Sequence, residues 1–594
     1  WCYFQKNDYT SSSELFAKLQ KQFPYSTLLQ ESQFKRAECF YKSAKFDEAL
    51  KELTSYIRTY PVAKRAGEVY YMIAEINFEL GRYEEAIGYY RDAIALSSKA
   101  PWLKLADLKI AWAYFKMDKF EEALGEFKKF LEYRSKDPMA DAAVFGAAQS
   151  ERKLGDIEKA QKFYDELIQK YPQSQYLDDA YFWKGEAYFD AQKFDDARGH
   201  YLKTIEFLPK GELADDARYG IAWSYAKQGK EDEALSWFDK MLETSSDVTL
   251  KTSALCRSGD IWLERKDYNK AKAAYDKVLT DYPESIYADY AQYQIGMVFF
   301  REERFDAAIL AFENLIYNYD QSKYVERATY QTALSHYRAG NFKSAVELLR
   351  KFIEKYPDSE LNNEASFQLA SSLYNSAQYK DAADALKELM RKTSDSELDK
   401  MAKYELGWCY YQMGKHQEAI AEFESFLAKY PTSSTAADVR FWFGEYYYGK
   451  KDLKKAKENF LAVCRDYPNS ELAPNALYRA SWTYYEDGNI DAAISGFTDL
   501  LKRYPKSKLT RDAVYKTGEI LSSQGRAEEA FKRLEQMAKD FKDTEIEKFA
   551  YAKIGQLHKE KGAYVKALEN LQLGLGAQSA NINYEIQFLI AETY

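Results

Sequence analysis

Residues 357–393 read PDSELNNEASFQLASSLYNSAQYKDAADALKELMRKT, and this stretch decides the fold. Pro357 cannot continue a helix and disfavours the helical conformation in Tyr356, so one helix ends there. Ser359 is placed to cap a following helix, A, that runs to about Ser376. A short turn at Ala377-Gln378 follows, and helix B runs from about Tyr379 to Arg391. Eight other stretches carry Gly in that turn (Gly81, Gly155, Gly229, Gly340, Gly414, Gly488, Gly525, Gly562), as expected where a left-handed residue ends a helix. Helix B often opens on acids such as Glu84-Glu85 or Asp195-Asp196, which suits the positive end of its dipole.

The stretch repeats every 37 residues with no insertion. Stepping in 37s from Pro24 meets turn chemistry throughout: Pro at nine positions, and Ser98, Ser135, Ser246, Asp320, Ser394, Lys542 and Ser579 at the others. Every step from Ala49 to Ala567 meets Ala, and twelve residues upstream lies a column of only Gly, Ala or Ser. Two small columns on adjacent helices let the helices cross closely, and a large apolar column one turn beyond the Ala (Tyr90, Phe127, Phe312, Phe423) lies on the same face. This register predicts a partial unit at 1–23, fifteen full units over 24–578 and a partial unit at 579–594. No alternating strand pattern occurs, so the expected fold class is an all-α helical solenoid.

The residues Tyr181, Lys184, Gly185, Tyr188, Ala197, Tyr201 and Pro209 resemble the tetratricopeptide repeat pattern, and the resemblance runs the length of the chain. It implies a right-handed superhelix in which helix A lines the concave face. The period is 37 rather than 34, with the three extra residues before the small column, which predicts a helix A longer at its start by nearly one turn. That longer form, with Tyr-Pro-x-Ser between units, resembles repeats of bacterial envelope proteins such as outer-membrane assembly lipoproteins and TolA-binding coordinators. Trp1-Cys2-Tyr3-Phe4 and Ala591-Glu592-Thr593-Tyr594 both align inside a helix A, so the sequence reads as the middle of a longer protein.

Composition narrows the function. The 594 residues hold 84 Lys+Arg against 93 Asp+Glu, a net charge of −9, which argues against a general nucleic-acid binder. No run of 18 apolar residues marks a membrane-spanning helix. Four His in separate places offer no metal site, and five Cys without CxxC spacing read as small buried hydrophobes. Gly444-x₄-Gly449-Lys450-Lys451 approaches a phosphate-binding loop but lies inside a helix A and lacks the Ser or Thr. No enzyme signature, cofactor motif or metal-ligand set emerges. Residues 178–247 carry 16 acids and 9 bases, read first as solvated helix starts and second as a site for a basic partner.

The compositional excess is aromatic: Tyr 52, Phe 35 and Trp 10. Five of the ten Trp share one column, directly after the small one: Trp1, Trp112, Trp223, Trp408 and Trp482. Glu or Gln often stands there instead, from which the position is expected to reach water. Three residues on, Phe300, Tyr337, Tyr374, Tyr411, Tyr448 and Tyr485 form an unbroken aromatic file, read as packing between successive A helices. Trp112, Trp223, Trp408 and Trp482 with Tyr337, Tyr374, Tyr411, Tyr448 and Tyr485 are the candidate partner-binding residues of the groove, with Trp408 the expected anchor. The resulting expectation is a non-enzymatic protein–protein scaffold of a multi-subunit bacterial envelope complex, periplasmic, with cytoplasm as the alternative compartment. A glycan-guiding protein of polysaccharide export, stacking sugars on the aromatics, is the alternative function. The Hsp90/Hsp70 tail-binding type is disfavoured, because its clamp positions here carry aromatics and mixed charge.

Overall fold

The computed structural model describes residues 1–97, 99–576 and 580–594. Thirty-three helices and no strand occur among the described residues. They form an all-α tetratricopeptide-type solenoid of antiparallel helix pairs, and the chain divides into two compact units, Trp1–Tyr324 and Val325–Tyr594. Ser98 and Ser579 of the turn column lie outside the described residues, as does part of the register slip expected near 574–583.

Within the stretch at 357–393 the helices are Asn362–Asn375 and Tyr379–Lys392. Ala377 joins them in the left-handed region at φ 60°, and the eight turn glycines fall there too, at φ 70–84°. The Ala column is sealed: Ala49 to Ala567 are at most 2% exposed. The small column exists to admit the large residue of helix B. A Cβ built on Gly296 would lie 2.4 Å from a ring carbon of Phe312, and one on Gly444 would lie 2.4 Å from Phe460.

Two expectations about the turn need correction. Ser359 does not cap helix A, which begins three residues later. Its hydroxyl accepts from the Leu361 N–H at 3.0 Å and donates to Glu326 at the start of the preceding helix A. Ser174 reaches Asp141 in the same way at 2.7 Å, and Ser322 reaches Asp289 at 2.6 Å. The turn tyrosine makes a second seam: the Tyr171 hydroxyl donates to the Ser135 carbonyl at 3.1 Å and Tyr504 to that of Pro468 at 3.2 Å. The three extra residues of the repeat therefore build two successive turns, and helix A stays at 14 residues in most units. Helix A gains three residues in two units that lack Tyr-Pro, and two residues at Ser434–Gly449, which follows Tyr430-Pro431. Val248–Glu264 and Ser396–Gln412 follow Ser245-Ser246 and Thr393-Ser394, run 17 residues, and are capped by the Asp247 and Asp395 carboxylates.

All five cysteines are free thiols, four of them buried and Cys2 exposed. His200 is stacked on Tyr188 at 5.2 Å, and burial pushes its pKa down to about 4, as a packed rather than a ligating imidazole.

Candidate functional site

The Trp column sits on helix A between its own helix B and the helix A of the next repeat. Trp112, Trp223, Trp408 and Trp482 are all half-buried. The polar members of the column are of two kinds: Glu445 and Glu519 reach water, whereas others answer a tyrosine hydroxyl of helix B. The buried Tyr201 hydroxyl of helix B donates to Glu186 at 2.5 Å and Tyr275 donates to Asp260 at 2.7 Å; Tyr90 does the same to Glu75. Burial and the adjoining carboxylate hold those phenols strongly protonated. All four interior Trp instead fall in repeats whose helix B offers Phe: Phe127, Phe238, Phe423 and Phe497. Trp112 meets Phe127 edge-on at 5.1 Å and Trp408 meets Phe423 at 5.4 Å. A hydroxyl below the column calls for an acceptor; above Phe the column takes a ring, as at Trp408, or a group paired elsewhere, as Glu445 is with Arg479.

The other contact of the column is with the residue 34 positions on, one helical turn early in the next helix A. Trp408 meets Trp442 at 6.1 Å, and Ser371 donates to both Glu405 oxygens at 2.9 Å. Arg479 grips Glu445 with two nitrogens, and Gln294 donates to Asp260 at 3.2 Å. Lys516 lies 5.4 Å above Trp482, Arg257 5.2 Å above Trp223, and Lys553 lies 3.5 Å from Glu519. Sequence reasoning missed these partners: Arg257, Glu405, Trp442, Arg479, Lys516 and Lys553. The signal was present, since acids of one column face cations of the other, but an offset of 34 is invisible to a search by 37.

The aromatic file packs both across its own turn and onto the next helix A. Tyr337, Tyr374, Tyr411, Tyr448 and Tyr485 are half-buried. Phe300 contacts Phe305 at 5.6 Å, Tyr337 Phe342 at 5.6 Å, Tyr374 Tyr379 at 5.3 Å and Tyr411 His416 at 5.5 Å. Each of these rings clasps the first residue of its own helix B across the turn, rather than stacking along a file. Contact to the next helix A is made by the Tyr411 ring, 5.4 Å from Trp442, and by hydroxyls, where Tyr448 donates to Glu486 and Tyr374 meets Gln412 at 3.5 Å.

Trp408 is bounded by Tyr404, Tyr411, Phe423 and Trp442. Trp482 donates its indole N–H to Glu486 at 3.1 Å and touches Tyr485 at 5.3 Å. Lys227 and Arg257 both lie over Trp223, in an open cavity of about 380 Å³ that also takes in Asp260, Tyr290 and Gln294. In the acidic stretch, Asp178 is buried with one oxygen unpartnered, and burial with the Asp178 and Glu212 charges pushes Asp179 up to about 6. Among the described residues no group of three His, Cys, Asp or Glu could hold a metal ion.

Comparison with known proteins follows this geometry. Tetratricopeptide repeat family models match residues 127–298, 367–434, 105–136, 438–470 and 475–507. The chain belongs to the tetratricopeptide repeat proteins. The family model of the outer membrane lipoprotein YfiO matches residues 3–92 and 248–370. No curated protein matches the chain. Among solved structures, a tetratricopeptide repeat protein from Parabacteroides merdae is 15% identical over 42% of this chain and 93% of its own, with a TM-score of 0.31. The Cut9–Hcn1 hetero-tetramer of the APC/C gives 13% identity over 96% and 99%, with a TM-score of 0.28. MamA gives 23% over 30% and 92%, with a TM-score of 0.26.

Proposed function

We propose that this chain is a non-enzymatic scaffold that holds partner proteins along its A helices within a multi-subunit complex of a bacterial envelope. One observation carries the reading. The paired columns keep one geometry while their chemistry changes from repeat to repeat: Trp with Trp at 408 and 442, acid with Arg at 445 and 479, Trp with Lys at 482 and 516. A constant framework with a changing surface suits recognition of several partners in fixed order. The half-buried Trp and Tyr of both columns are then the anchors of that surface. The envelope assignment is supported by the match to the outer membrane lipoprotein model. None of the described helices is long and apolar enough to cross a membrane.

The test is cross-linking and co-purification at native expression from fractionated cells. A defined set of envelope proteins is expected in the periplasmic or outer-membrane fraction. Recovery of the full-length protein from the cytosol, free of partners, would refute the proposal.

A further inference from the structure

The turn Lys450-Lys451 joins helix Ser434–Gly449 to helix Leu453–Asp466, and residues 450–457 carry five Lys against one Asp in a chain of net charge −9. The phosphate-loop resemblance does not explain them, since Gly444 is a packing residue against Phe460 and the helix continues through Gly449. Nor does local stability. The Asp452 carboxylate caps helix Leu453–Asp466 and pairs with Lys455, but Lys454 stands in the same first turn against the helix dipole. That placement points to use elsewhere.

The lysines are held in place. Lys450 lies 5.8 Å over Tyr446, Lys451 5.5 Å over Tyr448 and Lys455 4.9 Å over Tyr447. Lys451 also pairs with Glu486 at 3.7 Å, Lys455 with Asp452 at 3.9 Å, and Lys457 with Asp487. Lys450 and Lys454 are exposed, and no carboxylate among the described residues pairs with either.

We infer that this basic turn docks an acidic segment of a protein partner, with Lys450 and Lys454 as its charge-recognising groups; the inference rests on the scaffold function proposed above. Charge complementarity selects the occupant. A lipid surface fits less well, because the neighbouring rings are engaged: Trp442 on Phe423 and Tyr446, Tyr448 under Arg479. No aromatic is left free to insert. A nucleic acid calls for a longer basic track than these eight residues provide in a chain of net charge −9.

The test uses the full chain and a fluorescein-labelled Asp-Glu repeat peptide, read by anisotropy at low and high salt. Binding is expected at low salt, weakened about ten-fold or more by Lys450→Glu with Lys454→Glu. The charge-matched control Lys506→Glu with Lys508→Glu should leave it intact. Lys454→Gln should weaken binding yet raise the melting temperature, a pair of opposite signs that a structural role would not give. Equal loss in both double variants overturns the inference, as does tighter wild-type binding to phosphatidylglycerol vesicles or single-stranded DNA. If the peptide fails to bind while envelope partners still co-purify, this inference falls and the scaffold function stands.

Discussion

Glu405 provides a pH-dependent joint between two repeats. It lies on helix Ser396–Gln412, at the register position that Arg479 and Lys553 fill elsewhere, and receives only the Ser371 hydroxyl from helix Asn362–Asn375. The other titratable groups around it are Tyr337, Tyr374, Tyr404 and Cys409, none a cation. Burial pushes its carboxyl from 4.5 up to about 7, against the opposing pull of the Ser371 bond. The folded state therefore holds a proton that the unfolded chain has released between about pH 4.5 and about pH 7. The resulting stabilisation is complete at low pH and is lost as pH rises through about 7. The full displacement corresponds to roughly 3 kcal/mol; water screens a half-buried side chain, so ~2 kcal/mol is expected by about pH 8. Glu405→Gln keeps an acceptor for Ser371 without the charge. It should slow hydrogen exchange in 362–375 and 396–412 about ten-fold or more at about pH 8 and change little at about pH 5, after correction for intrinsic exchange rates. A difference between variant and wild type that stays constant across that range would refute the reasoning.

Two further outcomes follow from packing. Gly296→Ala places a methyl on the buried Phe312 ring and should cost ~1–3 kcal/mol, with hydrogen exchange rising in the neighbouring helices but not in distant repeats. Trp408→Ala removes a ring bounded by four others, so a loss of ~2 kcal/mol or more in local stability is expected alongside any loss of partner binding; calorimetry with a partner-binding assay separates the two.

The class of fold and the position of every sealed Ala were legible in the sequence, because they depend on contacts inside one helix pair. Ala308 and Gly296 record how closely helices A and B cross, and Gly340 records the sign of φ in the turn between them. A repeat states those local requirements fifteen times over, so spacing alone exposes them. The candidate site was legible only in outline. The Trp column is visible as a column, and Glu519 in it does reach water, but spacing does not show that Glu186 and Asp260 answer the buried hydroxyls of Tyr201 and Tyr275. Ser359 was read as a cap for its own helix, whereas it ties back to Glu326. The pairs Trp408–Trp442 and Glu445–Arg479 span 34 residues, and the seam from Tyr504 to Pro468 spans 36. Those offsets are set by how far one helix pair slides and rotates against the next. Tertiary packing fixes that rigid-body displacement, while the period of 37 fixes only that it recurs.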